Sequence, residues 1–92
     1  MDIRKVESSW KGRGFSFGVW IDPPGQAWED YRHDTDELFM VVEGEVELEI
    51  NGKKIRPKTG EEILILQNEI HSVRTLGQKG SRWLYGYRQN NH

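Results

Sequence analysis

The chain has 92 residues, 35% hydrophobic and 30% charged, with 13 basic and 15 acidic side chains and a formal net charge of −2. That balance, with four Trp, three Tyr and three Phe, excludes an intrinsically disordered chain and a general nucleic-acid binder. The absence of cysteine excludes disulfide frameworks, zinc ribbons and thiol nucleophiles and suits a reducing compartment.

Residues 1–10 alternate charges and lack the apolar core of a secretory signal. No apolar run approaches the ~20 residues of a membrane span. These features predict a cytoplasmic protein forming one domain over residues 1–92. Short apolar runs broken by Gly, Pro and Asn predict an all-β fold, a sandwich or barrel.

Phe15, Phe17, Val19 and Ile21 alternate with Ser16, Gly18 and Trp20, a strand that Asp22-Pro23-Pro24-Gly25 ends. Residues 25–44 carry two patterns. Trp28, Tyr31, Thr35, Leu38 and Phe39 fall near helical spacing, and Asp22 before Pro23 suits a helix cap. Gly25 in the first turns and Val41-Val42 at the end favour a strand. Residues 38–42 are apolar on both faces, so another part of this chain or another copy must cover the second face. A homodimer is expected, with this strand and Trp20 in the contact.

In residues 45–50, Glu45, Glu47 and Glu49 alternate with Val46, Leu48 and Ile50, the pattern of a strand with one wet face. Asn51-Gly52 then supplies the positive φ angles of a type I′ hairpin turn. The two-residue turn sets the register: Glu49 opposite Lys54, Leu48 opposite Ile55, Glu47 opposite Arg56. Residues 57–60 read as a turn, residues 61–66 as a buried strand, and residues 71–76 and 82–88 as two more strands.

The chain has three histidines, His33, His71 and the C-terminal His92. On a strand through residues 25–44, Tyr31, His33 and Glu37 share parity with Phe39 and Val41 and so face the interior. His71 shares parity with Val73 and Thr75. Two imidazoles and a carboxylate on adjacent strands form a set that binds a divalent first-row metal and leaves positions open. The alternative is a hydrogen bond between His33 and Glu37, with His71 satisfied by backbone.

Other clusters read blandly. Glu29, Asp30, Asp34 and Asp36 form a solvated rim beside the candidate site, and Lys53, Lys54, Arg56 and Lys58 a solvated strand face. Trp83, Tyr85 and Tyr87 alternate like wall residues, favouring packing over ligand stacking. No Gly-rich phosphate loop occurs, and no serine has a nucleophile-elbow context.

The spacing of residues 25–44 resembles the first motif of the cupin superfamily, G-x5-H-x-H-x3-E-x6-G. Gly25, His33, Glu37 and Gly44 occupy their places, and Tyr31 stands where the first histidine is expected. Residues 60–75 resemble the second motif, G-x5-P-x-G-x2-H-x3-N. Gly60 and His71 match, Leu66 and Thr75 replace the proline and asparagine, and Asn68 replaces a glycine as a residue that tolerates the left-handed conformation.

The resemblance implies a small antiparallel β-barrel of jelly-roll topology. It implies His33, Glu37 and His71 as ligands of Fe, Mn, Zn or Ni, with no nucleotide or organic cofactor. Tyr31 becomes a ligand-binding residue that hydrogen-bonds a bound molecule or plugs the site. A metal-dependent oxygenase, isomerase or decarboxylase is one implied function. A metal-free module that binds a small molecule, with no nucleic-acid or membrane partner, is the other. A dimer whose pocket is filled by side chains is a third.

Overall fold

The computed structural model describes residues 1–89, so His92 lies outside the described residues. A helix, α1 (Ile3–Gly12), precedes eight strands: β1 (Gly18–Asp22), β2 (Ala27–Tyr31), β3 (Glu37–Glu43), β4 (Glu45–Ile50), β5 (Lys53–Ile55), β6 (Ile63–Ile65), β7 (His71–Leu76) and β8 (Ser81–Tyr87). They form two antiparallel sheets of four strands, in the orders β1-β8-β3-β6 and β2-β7-β4-β5. The core lies between the sheets: Phe39, Val41, Ile65 and Trp83 come from the first, and Val46, Leu48 and Val73 from the second. The described residues contain no helix long and apolar enough to cross a membrane.

The fold is mostly β, as expected, with one helix, α1, that the sequence reading did not include. Asp2 caps it, its carboxylate accepting from the Arg4 N–H at 3.0 Å. Ile3, Val6 and Trp10 then recur on one helical face, and Glu7 pairs with Lys11 one turn on. That face lies on the outer side of the first sheet, against Leu38, Met40, Leu84 and Phe15. Part of this chain therefore covers the second face of residues 38–42, one of the two alternatives expected. Trp20, expected in a contact between copies, lines the cavity and is 40% exposed.

Phe15 and Phe17 extend the cluster under α1, while Val19 and Ile21 run beyond the helix and are exposed. Trp10, fully buried, donates its indole N–H to Glu62 Oε1 at 2.9 Å, and Arg13 grips the same carboxylate through two bonds of 2.9 Å. Gly86 permits this closeness: a Cβ there would collide with the Ser16 carbonyl and crowd the Trp10 ring.

The β4–β5 hairpin forms with the expected pairs Leu48–Ile55 and Glu49–Lys54, and Asn51 and Gly52 have φ of 50° and 83°. The ladder ends at Ile55, so Glu47 does not oppose Arg56. Glu47 and Glu49 instead both bind Arg74 of β7, at 2.9 and 2.8 Å. The expected buried strand over residues 61–66 shrinks to β6, where Ile65 is buried but Leu64 is half exposed, as is Leu66 just beyond it. As an edge strand, β6 has one paired side and one wet face.

Trp10→Ala should lower the unfolding free energy by ~3–5 kcal/mol, as expected for a large buried aromatic. Glu62→Gln, which keeps the packing, should cost only ~1 kcal/mol. Urea midpoints check both; a small Trp10→Ala effect would mean that α1 is dispensable.

Candidate metal centre

The sequence suggested that Tyr31, His33 and Glu37 share one face because they share parity along one strand. The structure corrects the reason. Tyr31 ends β2 in one sheet, Glu37 opens β3 in the other, and His33 lies in the connection between them. A bulge sets the geometry of β2. Its pairing with β7 shifts between Trp28 and Tyr31, Asp30 takes a φ of 57°, and the Asp30 N–H bonds Ser72 Oγ at 2.9 Å. Trp28 and Tyr31, three positions apart, therefore both face the cavity.

The second motif braces the first. Asn68 adopts a left-handed φ of 65° as expected, and its N–H donates to the His33 carbonyl at 2.7 Å. Asp36 accepts from the Gln67 N–H at 2.9 Å and pairs with Arg88 at 3.1 Å. Of the acidic rim, Asp36 thus clamps the connection and Glu29 joins Arg74 at 3.0 Å.

The candidate donor atoms of His33, Glu37 and His71 lie within 4.8 Å of one another. Glu37 Oε1 is 3.5 Å from His71 Nε2 and 3.6 Å from His33 Nε2, long for hydrogen bonds. Among the described residues, that buried oxygen has no hydrogen-bond partner. The alternative of a bonded His33–Glu37 pair is thus not realised.

His71 is buried, and its Nδ1 faces the Glu69 carbonyl at 3.2 Å. A carbonyl only accepts, so Nδ1 carries a proton, and Nε2 is the nitrogen placed to ligate. Burial pushes the Glu37 carboxyl up to about 7. Burial and then neighbouring His71 hold His33 below its ordinary value, which favours its neutral, ligating form. Burial, then Glu37 and Tyr85, raise the Tyr87 phenol to about 12. An orphaned buried carboxylate oxygen between two imidazole nitrogens fits a divalent metal.

A cavity of about 410 Å³ opens beside this cluster. It is lined by Trp20, Trp28, Tyr31, His33, Glu37, His71, Val73, Trp83, Tyr85 and Tyr87. The reading of a pocket plugged by side chains is therefore corrected. Tyr31 does not fill the ligand cluster; its ring stacks 6.5 Å from His33 at the mouth and is 43% exposed. Trp83, Tyr85 and Tyr87, read mainly as packing, are cavity wall as well.

Asp22 was read as the start of a turn or as a helix cap. It is buried, and its carboxylate accepts indole N–H bonds from Trp20 at 2.8 Å, Trp28 at 3.0 and 3.2 Å, and Trp83 at 3.3 Å. The available signal was Trp20-x-Asp22, which places both side chains on one face of a strand.

Residues 18–87 match the family model described as a cupin domain. The chain belongs to the cupin family. Solved structures similar to this cupin include a protein from Photorhabdus luminescens, with a TM-score of 0.76 and 22% identity over 84% of this chain and 64% of that one. This chain thus spans less than two thirds of that protein. Another is the cupin domain of an XRE-family transcriptional regulator from Enterobacter cloacae, with a TM-score of 0.75 and 19% identity over 89% of this chain and 90% of that one. A predicted oxalate decarboxylase from Thermotoga maritima has a TM-score of 0.74 and 21% identity over 91% of this cupin and 74% of its own chain. At these identities the likeness is one of fold. A search of curated proteins finds no match.

The raised Glu37 value makes a signed prediction for the metal-free cupin. Its carboxyl holds a proton more tightly folded than unfolded, so its contribution is fullest below the ordinary 4.5 and is lost as pH rises through about 7. His33, held low, slopes the opposite way. The difference between wild type and Glu37→Gln isolates the carboxyl. Wild type should lose stability relative to that variant over this window, by on the order of 3 kcal/mol. Parallel stability curves in urea would mean that Glu37 is hydrated.

Proposed function

We propose that this cupin binds a divalent first-row transition metal through His33, Glu37 and His71 and presents it to a small molecule held in the aromatic cavity. The observation that carries the reading is the buried Glu37 Oε1, unpartnered between two imidazole nitrogens. Fe, Mn, Zn and Ni all suit the donor set. When bound, the ion supplies a Lewis acid with open coordination positions.

The chain's own groups do the rest. The Glu69 carbonyl fixes the His71 tautomer, and Asn68 anchors the loop that carries His33. The aromatic wall keeps water from the ligand's apolar parts. Tyr31 stands at the mouth, where its hydroxyl is available to a bound molecule. The strand orders β1-β8-β3-β6 and β2-β7-β4-β5 support the jelly-roll barrel that such a site occupies in this family.

A second reading is a regulatory module that binds a metabolite without catalysis. The near-complete length match to the cupin domain of a transcriptional regulator favours it. Metal binding is compatible with either; turnover separates them.

Elemental analysis of untagged protein tests the metal. Wild type should hold close to one equivalent, and His71→Ala and Glu37→Gln far less. Added metal at a hundredfold excess over its Kd should stabilise wild type by ~2.7 kcal/mol, seen as a rise in Tm. The effect should weaken as pH falls, because a ligating imidazole must be neutral. Absence of metal in wild type, with none taken up on titration, overturns the reading.

A further inference from the structure

Six rings close a loop around the cavity. Trp20 meets Trp28, then Tyr31, His33, Tyr87 and Tyr85 follow, and Tyr85 returns to Trp20, with neighbouring centroids 5.0 to 6.5 Å apart. Trp83 lies against Trp20 and Tyr85 at 6.4 and 6.0 Å. The two ends of the loop differ. At one end stand His33, Glu37 and His71. At the other, the three indole N–H groups of Trp20, Trp28 and Trp83 all turn onto Asp22.

That convergence has chemical consequences. With their N–H groups committed to Asp22, these indoles offer a ligand carbon rings and no hydrogen-bond donor. Asp22 accepts from all three, with both oxygens of its carboxylate engaged. Its negative charge sits against the indole edges and reinforces the negative potential of their faces. Among the described residues, no Lys or Arg lines the cavity or forms an ion pair with Asp22. A group that is cationic, needs no hydrogen bond and fits between aromatic faces matches this end. A primary ammonium suits it less, since the indoles offer its N–H groups no acceptor.

We propose that the ligand is a small methylated onium zwitterion. Its trimethylammonium or dimethylsulfonium group sits among Trp20, Trp28 and Trp83, and its carboxylate points to the His33–Glu37–His71 centre. The carboxylate half rests on the metal reading above; the onium half does not. Asp22 is a positioning residue: it aims the indoles and supplies the charge behind them.

Calorimetry with defined probes tests both halves. Tetramethylammonium should bind metal-free wild type and quench its tryptophan fluorescence. With zinc-loaded protein, trimethylglycine should bind at least about tenfold more tightly than 3,3-dimethylbutanoate, which has the same shape without the cation. Asp22→Asn, and Trp20→Leu at a half-exposed position, should bring that ratio toward one, a change that a merely structural role would not produce. Equal binding of the two carboxylates to wild type, or no response to tetramethylammonium, overturns the onium assignment even if zinc binds. Tetramethylammonium binding without zinc uptake supports the cage and overturns the metal reading together with the carboxylate half.

Discussion

A carboxylate leaves water at a cost that something inside the fold must offset, and this chain meets the requirement at one buried carboxylate and leaves it open at another. Asp22 accepts from three indoles. Glu37 has an oxygen with no hydrogen-bond partner among the described residues and two imidazole nitrogens just beyond bonding distance. The two sit on β1 and β3, separated by β8 in one sheet. Satisfied at one end and unsatisfied at the other, the interior has a built-in direction: the first carboxylate organises rings, and the second keeps an open oxygen between two imidazoles.

That arrangement depends on the opposite face of the same sheet. A cavity removes packing from the inner side, and a chain this short has little other core to compensate. The outer side does so. Leu38, Met40 and Leu84 are buried there beneath Trp10, while Phe39 and Val41, the alternating residues of β3, pack inward. Strand β3 is thus doubly covered, which holds Glu37 firmly at its first residue. Arg13 and Trp10 tie the helix to Glu62 just ahead of β6, the other neighbour of β3. The helix has no part in the site and still determines how rigidly one candidate ligand is held.

The legible parts of the sequence were those where a local rule has no competitor. Asn51-Gly52 and the alternation of residues 45–50 defined a hairpin because turn geometry and polarity agreed. Asn68 was readable because few residues tolerate a left-handed backbone. The gathering of His33, Glu37 and His71 was foreseen, but from a continuous strand that does not exist; the motif spacing reflects a strand, a turn and a strand. The bulge at Asp30 depends on Ser72, far away in sequence, so no local pattern announces it. Helix α1 was missed for a different reason. Ile3, Val6 and Trp10 were spaced for a helix behind an Asp cap, but a short segment dense in charge has little apolar signal until the sheet it covers is known.

Tyr31 shows how fold and site constrain each other. Read against the family pattern, it is a missing histidine. Read within the cavity, it is the ring that joins Trp28 to His33, at 6.0 and 6.5 Å, and completes the aromatic loop. A histidine at this position would add a donor near the cluster and put a smaller, polar ring in the gap. A phenol keeps the wall aromatic, leaves three donors from the chain, and leaves more of a bound ion's coordination open to a ligand. The same substitution therefore weakens the case for a four-ligand centre and strengthens the case for a centre whose remaining positions belong to a molecule gripped by aromatic faces.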